Sequence, residues 1–525
     1  MRNILSLVFA FGIISAQAQV VNEVQVYVKS GTEVHVFESM TNTNTGDFTV
    51  GDEGLLYVDG VLVNNGSMTF ENASSLLRGN TSSDGTGSGT YYVKRQGSNN
   101  QGVYNYWSSP MEVYSGVPGS QNYLYDPVQG TQTYTDDQPA DPGWISHSGA
   151  MTVGRGYAGR GGGLHTFSGD VSNGSENYPL YYTTDIPGNT SPNTPFNLVG
   201  NPYPSGVSCA SLVLGNPDIS GALYFWDDDL TGGSGYSNTD YAVWNGTGSL
   251  GTGSGSAGNP NGIISTGQGF KVKAISPGAV LNFTNSMRVA NTTQFFRMSG
   301  ETSRLWFSIA GNDLFNQILI GVLDDATDNE DRLYDARKIR GNQSIALAAM
   351  DDGKDYCIMA FPSPSVEKTV PLSVFITEGG AYTFTANTME NFNYEDVYFV
   401  DVERDIEVLL EEGTEIEISI APGEYNNRFF LNFRSTSTVG ITEREEFDVM
   451  IYGFDDELFI GANSYTRNTA IVELFDMTGK MVHREDNVAI NPDPTRISMA
   501  HLANGVYATR LTIDGEKFNA KVVKQ

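Results

Sequence analysis

The chain has 525 residues and is strongly acidic, because 61 Asp and Glu stand against 30 Lys and Arg and give a formal net charge of −31. This charge repels nucleic acids and anionic lipid surfaces, which excludes partners of both kinds. Only two cysteines are present, Cys209 and Cys357, so one disulfide bond is possible but no disulfide framework. The 59 glycines, with 27 Tyr and 27 Phe, indicate short strands joined by turns, and an all-β fold is therefore expected.

The N-terminal residues are typical of an export signal. Arg2 supplies a positive charge, residues 4–14 are apolar, and Ala16-Gln17-Ala18 fits a small-x-small cleavage site. The apolar run is shorter than the ~20 residues that span a bilayer as a helix. Residues 1–18 are thus predicted to be a signal peptide, and the mature chain is expected outside the cytoplasm with no membrane span.

Residues 19–90 are predicted to form a β-solenoid-like unit. Their apolar pieces are only three or four residues long and are separated by Gly, Asn and Asp. Strands this short are marginal as free hairpins but suit the rungs of a solenoid, in which each coil is buried on its neighbours. Stacked hairpins are the alternative. The solenoid predicts a common buried interior for Leu56, Val58, Leu62 and Phe70.

Two β-sandwich or jelly-roll units are predicted next, over residues 91–300 and 301–434. The first is rich in Gly and aromatic residues with recurring turn signals. In the second, residues 381–386 and 414–420 alternate polar and apolar side chains, as half-exposed antiparallel strands do. Helix is expected only as a short stretch within residues 329–339. Residues 435–446 are a polar linker.

The end of the chain carries two hairpin signals. Asn504-Gly505 and Asp514-Gly515 are turn dipeptides that bound one strand, and residues 517–523 form its return partner. The strand has two alternating faces, with Tyr507 and Leu511 on one and Val506 on the other. Core packing is expected from Val506, Leu511, Val522 and Val523. A basic fringe is expected from Lys517, Lys521 and Lys524, either as a contact for a partner or as a solvated edge that blocks strand pairing. Upstream, residues 471–482 form a second hairpin that turns at Thr478-Gly479.

Together these hairpins resemble the C-terminal sorting domain carried by cargo of the type IX secretion system, over residues 447–525. The matching residues are Leu474, Phe475, Asp476, Gly479, Lys480, Val482, Leu502, Gly505, Val506, Tyr507, Gly515, Lys521, Val522, Val523 and Lys524. The resemblance implies a β-sandwich that the type IX secretion machinery reads as a sorting signal. It also implies passage through the periplasm to the outer cell surface or the medium. An ordinary terminal β-sandwich is the alternative.

Several upstream pieces resemble a recurrent region of large secreted surface proteins that end in the same sorting domain. They include FNLVGNPYPS at residues 196–205, GQGFKVKA at residues 267–274 and NRFFLNF at residues 427–433. This resemblance implies a location at the cell surface and no assigned chemistry.

Residues 226–244 form the first of two acidic candidate sites. Asp227, Asp229 and Asp240 are hard oxygen ligands of the kind that Ca²⁺ prefers, while Trp226 and Trp244 are flat rings suited to stacking on sugars. A calcium site and a surface-glycan site are therefore both predicted here, against the simpler alternative of a solvated hairpin loop anchored by its tryptophans.

The second acidic segment holds Asp324, Asp325, Asp328, Asp331 and Asp335, at spacings that would share one face of a short helix with Arg332 and Arg337 as partners. It lacks the ligand pattern of an EF-hand, and a solvated loop is the preferred interpretation.

No catalytic constellation is visible. The G-x-G-x-x-G string at residues 154–159 is followed by three more glycines, which do not propagate the helix that a dinucleotide site needs. The five histidines have no metal-binding spacing. The sequence thus predicts a non-enzymatic, adhesive or structural exported protein without a cofactor, unless calcium is bound. A glycan- or calcium-binding module is the alternative, and a glycoside hydrolase with paired carboxylates a further one.

Overall fold

The computed structural model describes residues 19–79, 87–130, 143–183, 196–228, 240–252, 258–291, 302–339, 344–364, 367–392, 395–435, 449–454, 457–462, 469–476, 480–490, 495–513 and 516–524. The chain forms two compact units, Met1–Ser437 and Thr438–Gln525. Strands dominate both, so the all-β fold class is confirmed. The predicted signal peptide, residues 1–18, lies outside the described residues, as does all but Ser435 of the predicted linker.

Nine short strands build the N-terminal part. They are β1 (Val20–Asn22), β2 (Gln25–Val28), β3 (Glu33–Val36), β4 (Met40–Asn42), β5 (Asp47–Val50), β6 (Leu55–Val58), β7 (Leu62–Asn64), β8 (Ser67–Phe70) and β9 (Ser75–Arg78).

These strands stack as three coils of a β-solenoid with three parallel faces. The faces are β1-β4-β7, β2-β5-β8 and β3-β6-β9, with every strand parallel to its neighbour. Leu56, Val58, Leu62 and Phe70 are all buried in one core, as predicted. The solenoid was therefore predicted correctly, because Gly and Asn corners place one apolar row inside each coil.

A ladder of asparagines runs along one corner of the solenoid. Asn22, Asn42 and Asn64 occupy equivalent positions and are all buried. The amide of Asn22 donates to Asn42 Oδ1 at 2.8 Å, and the amide of Asn42 donates to Asn64 Oδ1 at 2.8 Å. Because each coil supplies the acceptor for the previous one, the ladder keeps the coils in register.

The solenoid continues directly into the next part of the chain. Its strands are β10 (Thr90–Gln96), β11 (Tyr104–Trp107), β12 (Tyr114–Ser115), β13 (Ser120–Tyr125), β14 (Trp144–Ser146), β15 (Ala150–Met151), β16 (Tyr157–Arg160), β17 (Leu164–Gly169) and β18 (Glu176–Pro179). Strand β10 pairs in parallel with β8 and antiparallel with β17. Sheet β11-β16-β13-β14 lies beyond it. The glycine string at residues 154–159 runs into strand β16, and no helix follows it, in accord with its interpretation as a loop.

A central five-stranded sheet is buried on both faces. The strands of this part are β19 (Phe196–Gly200), β20 (Gly206–Ser208), β21 (Leu223–Asp227), β22 (Asp240–Trp244), β23 (Ser249–Leu250), β24 (Ile263–Ile264), β25 (Gly269–Lys273), β26 (Val280–Phe283) and β27 (Arg288–Val289). The strand order of the sheet is β19-β25-β21-β22-β23. On one face, Leu223 of β21 and Phe270 of β25 contribute to a core. The other face, through Tyr224 and Phe196, shares a core with Ile358 of the following part.

The following part is one large sheet that curls into a sandwich. Its strands are β28 (Ser303–Gly311), β29 (Leu314–Val322), β30 (Ala336–Arg337), β31 (Ile345–Asp351), β32 (Lys354–Phe361), β33 (Glu367–Ile376), β34 (Gly380–Glu390), β35 (Glu395–Asp401), β36 (Ile406–Leu409), β37 (Glu415–Ile420) and β38 (Gly423–Ser435). Their order is β36-β35-β38-β33-β31-β32-β29-β28-β34-β37, with β30 on β32. Phe384 of β34 and Phe399 of β35 stand near opposite ends of this order, yet their rings lie 4.8 Å apart. The two ends of the sheet therefore face each other across one core.

Helix is scarce in the described residues, as expected, but its location was predicted wrongly. Residues 329–339 form turns followed by strand β30. The helices are α1 (Pro127–Gly130), α2 (Cys209–Gly215) and a 3-10 turn at Asn285–Met287. Helix α2 begins at Ser208, whose side chain accepts a hydrogen bond from Ser211 N.

The C-terminal unit is a β-sandwich of its own. Its strands are β39 (Val449–Phe454), β40 (Glu457–Ala462), β41 (Thr469–Phe475), β42 (Met481–Ala489), β43 (Thr495–Ser498), β44 (Gly505–Ile513) and β45 (Glu516–Lys524). Sheets β39-β40-β43 and β42-β41-β44-β45 share one core, to which Leu458 and Ile497 contribute from the first sheet and Val472 and Leu511 from the second.

Candidate functional site

The terminal hairpin predicted from the sequence is formed by β44 and β45. Gly505 pairs with Lys524 at its open end and Ile513 with Glu516 at the turn, and Gly515 lies outside the described residues. Along β44, Tyr507, Thr509, Leu511 and Ile513 are buried, and the residues between them are not. The two-faced strand is therefore confirmed. Val506 was expected in the core but lies on the outer face and is half-buried, because its position is out of phase with Leu511.

Lys524 is buried, although the sequence suggested a solvated basic fringe. Its ammonium donates to Met499 O at 2.8 Å and to Leu502 O at 2.7 Å, so the last strand is fastened to the segment that precedes β44. Val522 is in the core, and the side chains of Lys521 and Val523 lie outside the described residues. Sequence alone could not separate Lys524 from Lys517, which is exposed.

The upstream hairpin is formed by β41 and β42. Its turn is closed by two hydrogen bonds between Asp476 and Lys480: Asp476 N donates to Lys480 O at 2.9 Å, and Lys480 N donates to Asp476 Oδ1 at 3.0 Å. Gly479 lies outside the described residues. The motif residues Asp476 and Lys480 thus have a structural role in shaping this turn.

His483 and His501 meet in the same unit. Nδ1 of His483 lies 3.1 Å from Nε2 of His501. One ring must donate and the other accept, so at least one of them is neutral in this contact. Their separation of 18 residues gives no spacing signal, which is why the sequence did not indicate the pair.

The tryptophans of the first acidic segment do not form one platform. Strand pairing sets Trp226 opposite Tyr241 and Trp244 opposite Leu223, which places the two indoles on opposite faces of the β21-β22 hairpin. Trp226 stacks on Tyr106 at 5.8 Å, whereas Trp244 packs against the core on the other face. Joint stacking on one sugar ring, which required both on one exposed face, is therefore not available to them.

The carboxylates of this segment are partly engaged. Asp227 Oδ2 accepts from Thr252 Oγ1 at 2.6 Å, and Asp228 Oδ2 accepts from Tyr104 N at 2.9 Å. Asp229 and the side chain of Asp240 lie outside the described residues, although Asp240 pairs with Asp227 in the backbone register. Within the part of the chain that the structure describes, no three His, Cys, Asp or Glu side chains are grouped to hold a metal ion.

Thermal unfolding and calcium-binding calorimetry of the mature protein test the calcium hypothesis. Because Asp227 and Asp228 already accept hydrogen bonds within the protein, we expect the same thermal unfolding temperature in calcium and in chelator. A calcium-dependent rise, accompanied by binding heat, would instead establish the site. That heat should then disappear in the combined variant Asp227→Asn, Asp229→Asn, Asp240→Asn, because charged oxygen ligands set the affinity of such sites.

The second acidic segment separates two clefts of ≈ 320 and ≈ 360 Å³, and Glu330 and Asp335 line both. Glu330 forms a two-point ion pair with Arg337, at 2.6 and 2.7 Å, and a further contact with Lys354 at 3.2 Å. Burial alone would raise the pKa of Glu330, but these cations outweigh it and hold the pKa at about 2. Arg332 bonds instead to the carbonyl oxygens of Val213, Asn216 and Ile219.

Asp335 is the buried carboxyl of this segment. Its Oδ1 accepts from Ala360 N at 2.8 Å and its Oδ2 from Asp331 N at 2.6 Å. Burial raises the pKa of Asp335 to about 7, in spite of these two donors. Sequence spacing could not single out Asp335 among its acidic neighbours, because its burial depends on tertiary contacts such as that with Ala360 of β32.

Asp335 should make stability depend on pH. Between its ordinary pKa of 3.8 and its folded pKa of about 7, the folded protein keeps a proton that the unfolded chain has released. The free energy of unfolding should therefore fall as the pH rises from about 4.5 to 7. Glu330, with a pKa near 2, stays ionised in the folded protein over this window. Urea unfolding measured from pH 4.5 to 7 gives the free energy of unfolding at each pH. This free energy should change less with pH in Asp335→Asn than in the exposed control Asp324→Asn, and an equal change in the two variants would contradict the prediction.

The C-terminal unit is a type IX secretion sorting domain. Residues 454–525 match the family described as the secretion system C-terminal sorting domain, which confirms the resemblance carried by the two hairpins. The protein is therefore exported to the cell surface or the extracellular space, and the domain implies interaction with the type IX secretion machinery. In the described residues, no helix has the length and apolar character needed to cross a membrane.

The body belongs to a second family. Residues 14–433 match the domain of unknown function DUF8693, and the chain is a member of that family. No curated protein is significantly similar to it. Among solved structures, one similar chain is the BSP domain of a biofilm associated protein. It is 11% identical, with 83% of this chain and 92% of that chain covered, but at a TM-score of 0.14 the likeness carries no argument.

Proposed function

We propose that the protein is a non-enzymatic adhesive or structural component of the outer cell surface, delivered through the periplasm by its sorting domain. The observation that carries this proposal is the attachment of that domain to an all-β body in which the candidate site residues Trp226, Trp244, Glu330 and Asp335 are engaged in packing and internal hydrogen bonds. Neighbouring sheets of this body share hydrophobic cores; Tyr224 of β21 and Ile358 of β32, for example, are buried in the same cluster. A body of this kind suits a structural scaffold.

Glu330 and Asp335, the two carboxylates that line both clefts, favour a scaffold over a glycoside hydrolase. A hydrolase needs one carboxyl as acid and a second, facing it, as base or nucleophile. Glu330 is tied to Arg337 and Lys354, and both oxygens of Asp335 accept backbone hydrogen bonds. Freeing either group would break these contacts. The two are therefore better explained as structural groups that fold the segment between the clefts.

The test compares cells that differ only in this protein. Cells lacking it should attach less to surfaces or to one another, and the wild-type gene should restore attachment. A gene with an inactivated sorting domain should not restore it, because the body would stay inside the cell. Purified protein should leave a panel of glycosides unhydrolysed. Hydrolysis that disappears in Glu330→Gln or Asp335→Asn would overturn the non-enzymatic assignment, and unchanged attachment in the deletion strain would overturn the adhesive one.

A further inference from the structure

Within the described residues, which begin at Gln19, the apolar interior of the solenoid is left open at its N-terminal end. Val20, Met40 and Leu62 are equivalent residues of the three coils, and they are 37%, 1% and 1% exposed. Val26 and Val34 also point into the core but remain only partly buried. Their equivalents in the next coil, Phe48 and Leu56, are buried. Nothing among the described residues stacks on the first coil.

The backbone is open at the same end. Strands β1, β2 and β3 are the terminal strands of their three sheets, so each has an unpaired edge within the described residues. Large apolar side chains surround these edges, since Val24, Tyr27 and Phe37 are 64%, 63% and 73% exposed. Unpaired edges flanked by apolar side chains are templates for pairing with another chain, and solenoids need a cap at each end.

The opposite end of the solenoid is covered by its own chain. Strand β8 pairs with β10, and Gly89 N donates to Asn64 O at the end of β7. On β9, Leu76 N donates to Pro204 O at 2.8 Å, and the Asn291 amide donates to Ser74 O at 2.8 Å. Each strand of the last coil therefore has a contact with the chain that follows, and Leu62, Phe70 and Leu76 of that coil are 1%, 0% and 0% exposed, so this end offers no apolar surface to a second molecule.

From this asymmetry we infer that the first coil, residues 20–36, binds the first coil of a second copy of this chain. A partner that covers this end has to pair with three short strand edges and cover the apolar residues between them. The first coil of a second copy has the same three edges and the same apolar centre. Stacking head to tail is blocked because the far end is covered, so the contact has to join two N-terminal ends. Such a contact is isologous and closes as a dimer with two-fold symmetry.

The charge of the coil sets the salt dependence of this contact. Together with its flanking residues, over residues 19–38, the first coil contains Glu23, Glu33 and Glu38 against Lys29 and has a net charge of −2. Two facing ends therefore repel each other, as do two whole molecules of charge −31. Salt screens such repulsion between exposed charges. Dimerisation should accordingly be stronger at high salt, which is the signature of an apolar contact between acidic surfaces.

The experiment is sedimentation velocity of the mature full-length protein, beginning at Gln19, over a range of protein and salt concentrations. A monomer–dimer equilibrium that tightens with salt is expected. Val34→Lys should weaken it by about tenfold or more, because the contact would bury an unpaired charge. Val113→Lys is the matched control, since Val113 is exposed and lies outside the solenoid, and it should leave the equilibrium unchanged.

Phe37→Asp keeps the test decisive if Val34→Lys does not fold, because Phe37 is exposed in the monomer and its replacement removes no core contact. It should weaken the dimer as well. Val24→Cys should give a covalent dimer with a short bis-maleimide reagent and Val113→Cys should not, since the native Cys209 and Cys357 are buried. A protein that stays monomeric at every protein and salt concentration overturns the inference. So does a dimer that is indifferent to Val34→Lys and Phe37→Asp.

Discussion

A chain that lacks residues 502–525 should accumulate in the periplasm instead of reaching the cell surface. Those residues contain β44 and β45, which supply Tyr507, Leu511, Ile513 and Val522 to the core of the sorting domain. Without them the remaining strands lose half of their four-stranded sheet, and the secretion machinery has no folded domain to recognise. The upstream unit, Met1–Ser437, has cores of its own and should stay folded. Cell fractionation with surface proteolysis measures the outcome.

Point variants separate the fold of the domain from its surface. Leu511→Asp places a charge in the core and should reproduce the truncation, whereas Ala508→Asp, on the exposed face of the same strand, should leave export near normal. Residues 447–525 fused behind a signal peptide and a reporter should carry the reporter out. Normal surface amounts of the truncated chain would mean that the sorting domain does not direct this protein.

Leu62→Asp should strongly destabilise the solenoid. Leu62 is fully buried in the core that Leu56, Val58 and Phe70 share, so the variant loses apolar contacts and buries a charge without a partner. The expected cost is ~3 kcal/mol or more in the free energy of unfolding. Val61→Asp is the control, because Val61 is the neighbouring residue and is exposed. Urea unfolding that gives equal stabilities for the two variants would place Leu62 outside the core.

Local patterns were sufficient for the solenoid and for the terminal hairpins. Short apolar pieces between Gly and Asn corners constrain a coil strongly, and the alternation from Tyr507 to Ile513 determines which face is buried. The same reasoning failed where distant packing decides. Lys524 was assigned to the surface, yet the carbonyl oxygens of Met499 and Leu502 accept hydrogen bonds from its ammonium and bury it. The error for Val506 is of another kind, because its assignment to the core ignored the alternation that sets it out of phase with Leu511.

The acidic segments show a second reason for failure. The spacing of Asp328, Asp331 and Asp335 fits a helix, but Asp331 and Asp335 each accept a backbone hydrogen bond from a residue four positions earlier, at Thr327 and Asp331. Such side-chain contacts compete with helical ones. Whether Trp226 and Trp244 share a face depends on which residues of β21 and β22 pair with each other. The sequence did not determine this register, because it did not show where the loop between the two strands begins and ends.

The asparagine ladder restricts how the solenoid can change its length during evolution. Equivalent asparagines recur after 20 and then 22 residues, and each amide needs the next carbonyl oxygen at the same corner. A duplication of one whole coil would add one more rung and keep the amides of Asn22 and Asn42 paired. An insertion of two or three residues within a strand would leave a buried amide without its acceptor. Relatives should therefore differ in the number of coils, in steps of one complete turn, and seldom in the length of a single strand.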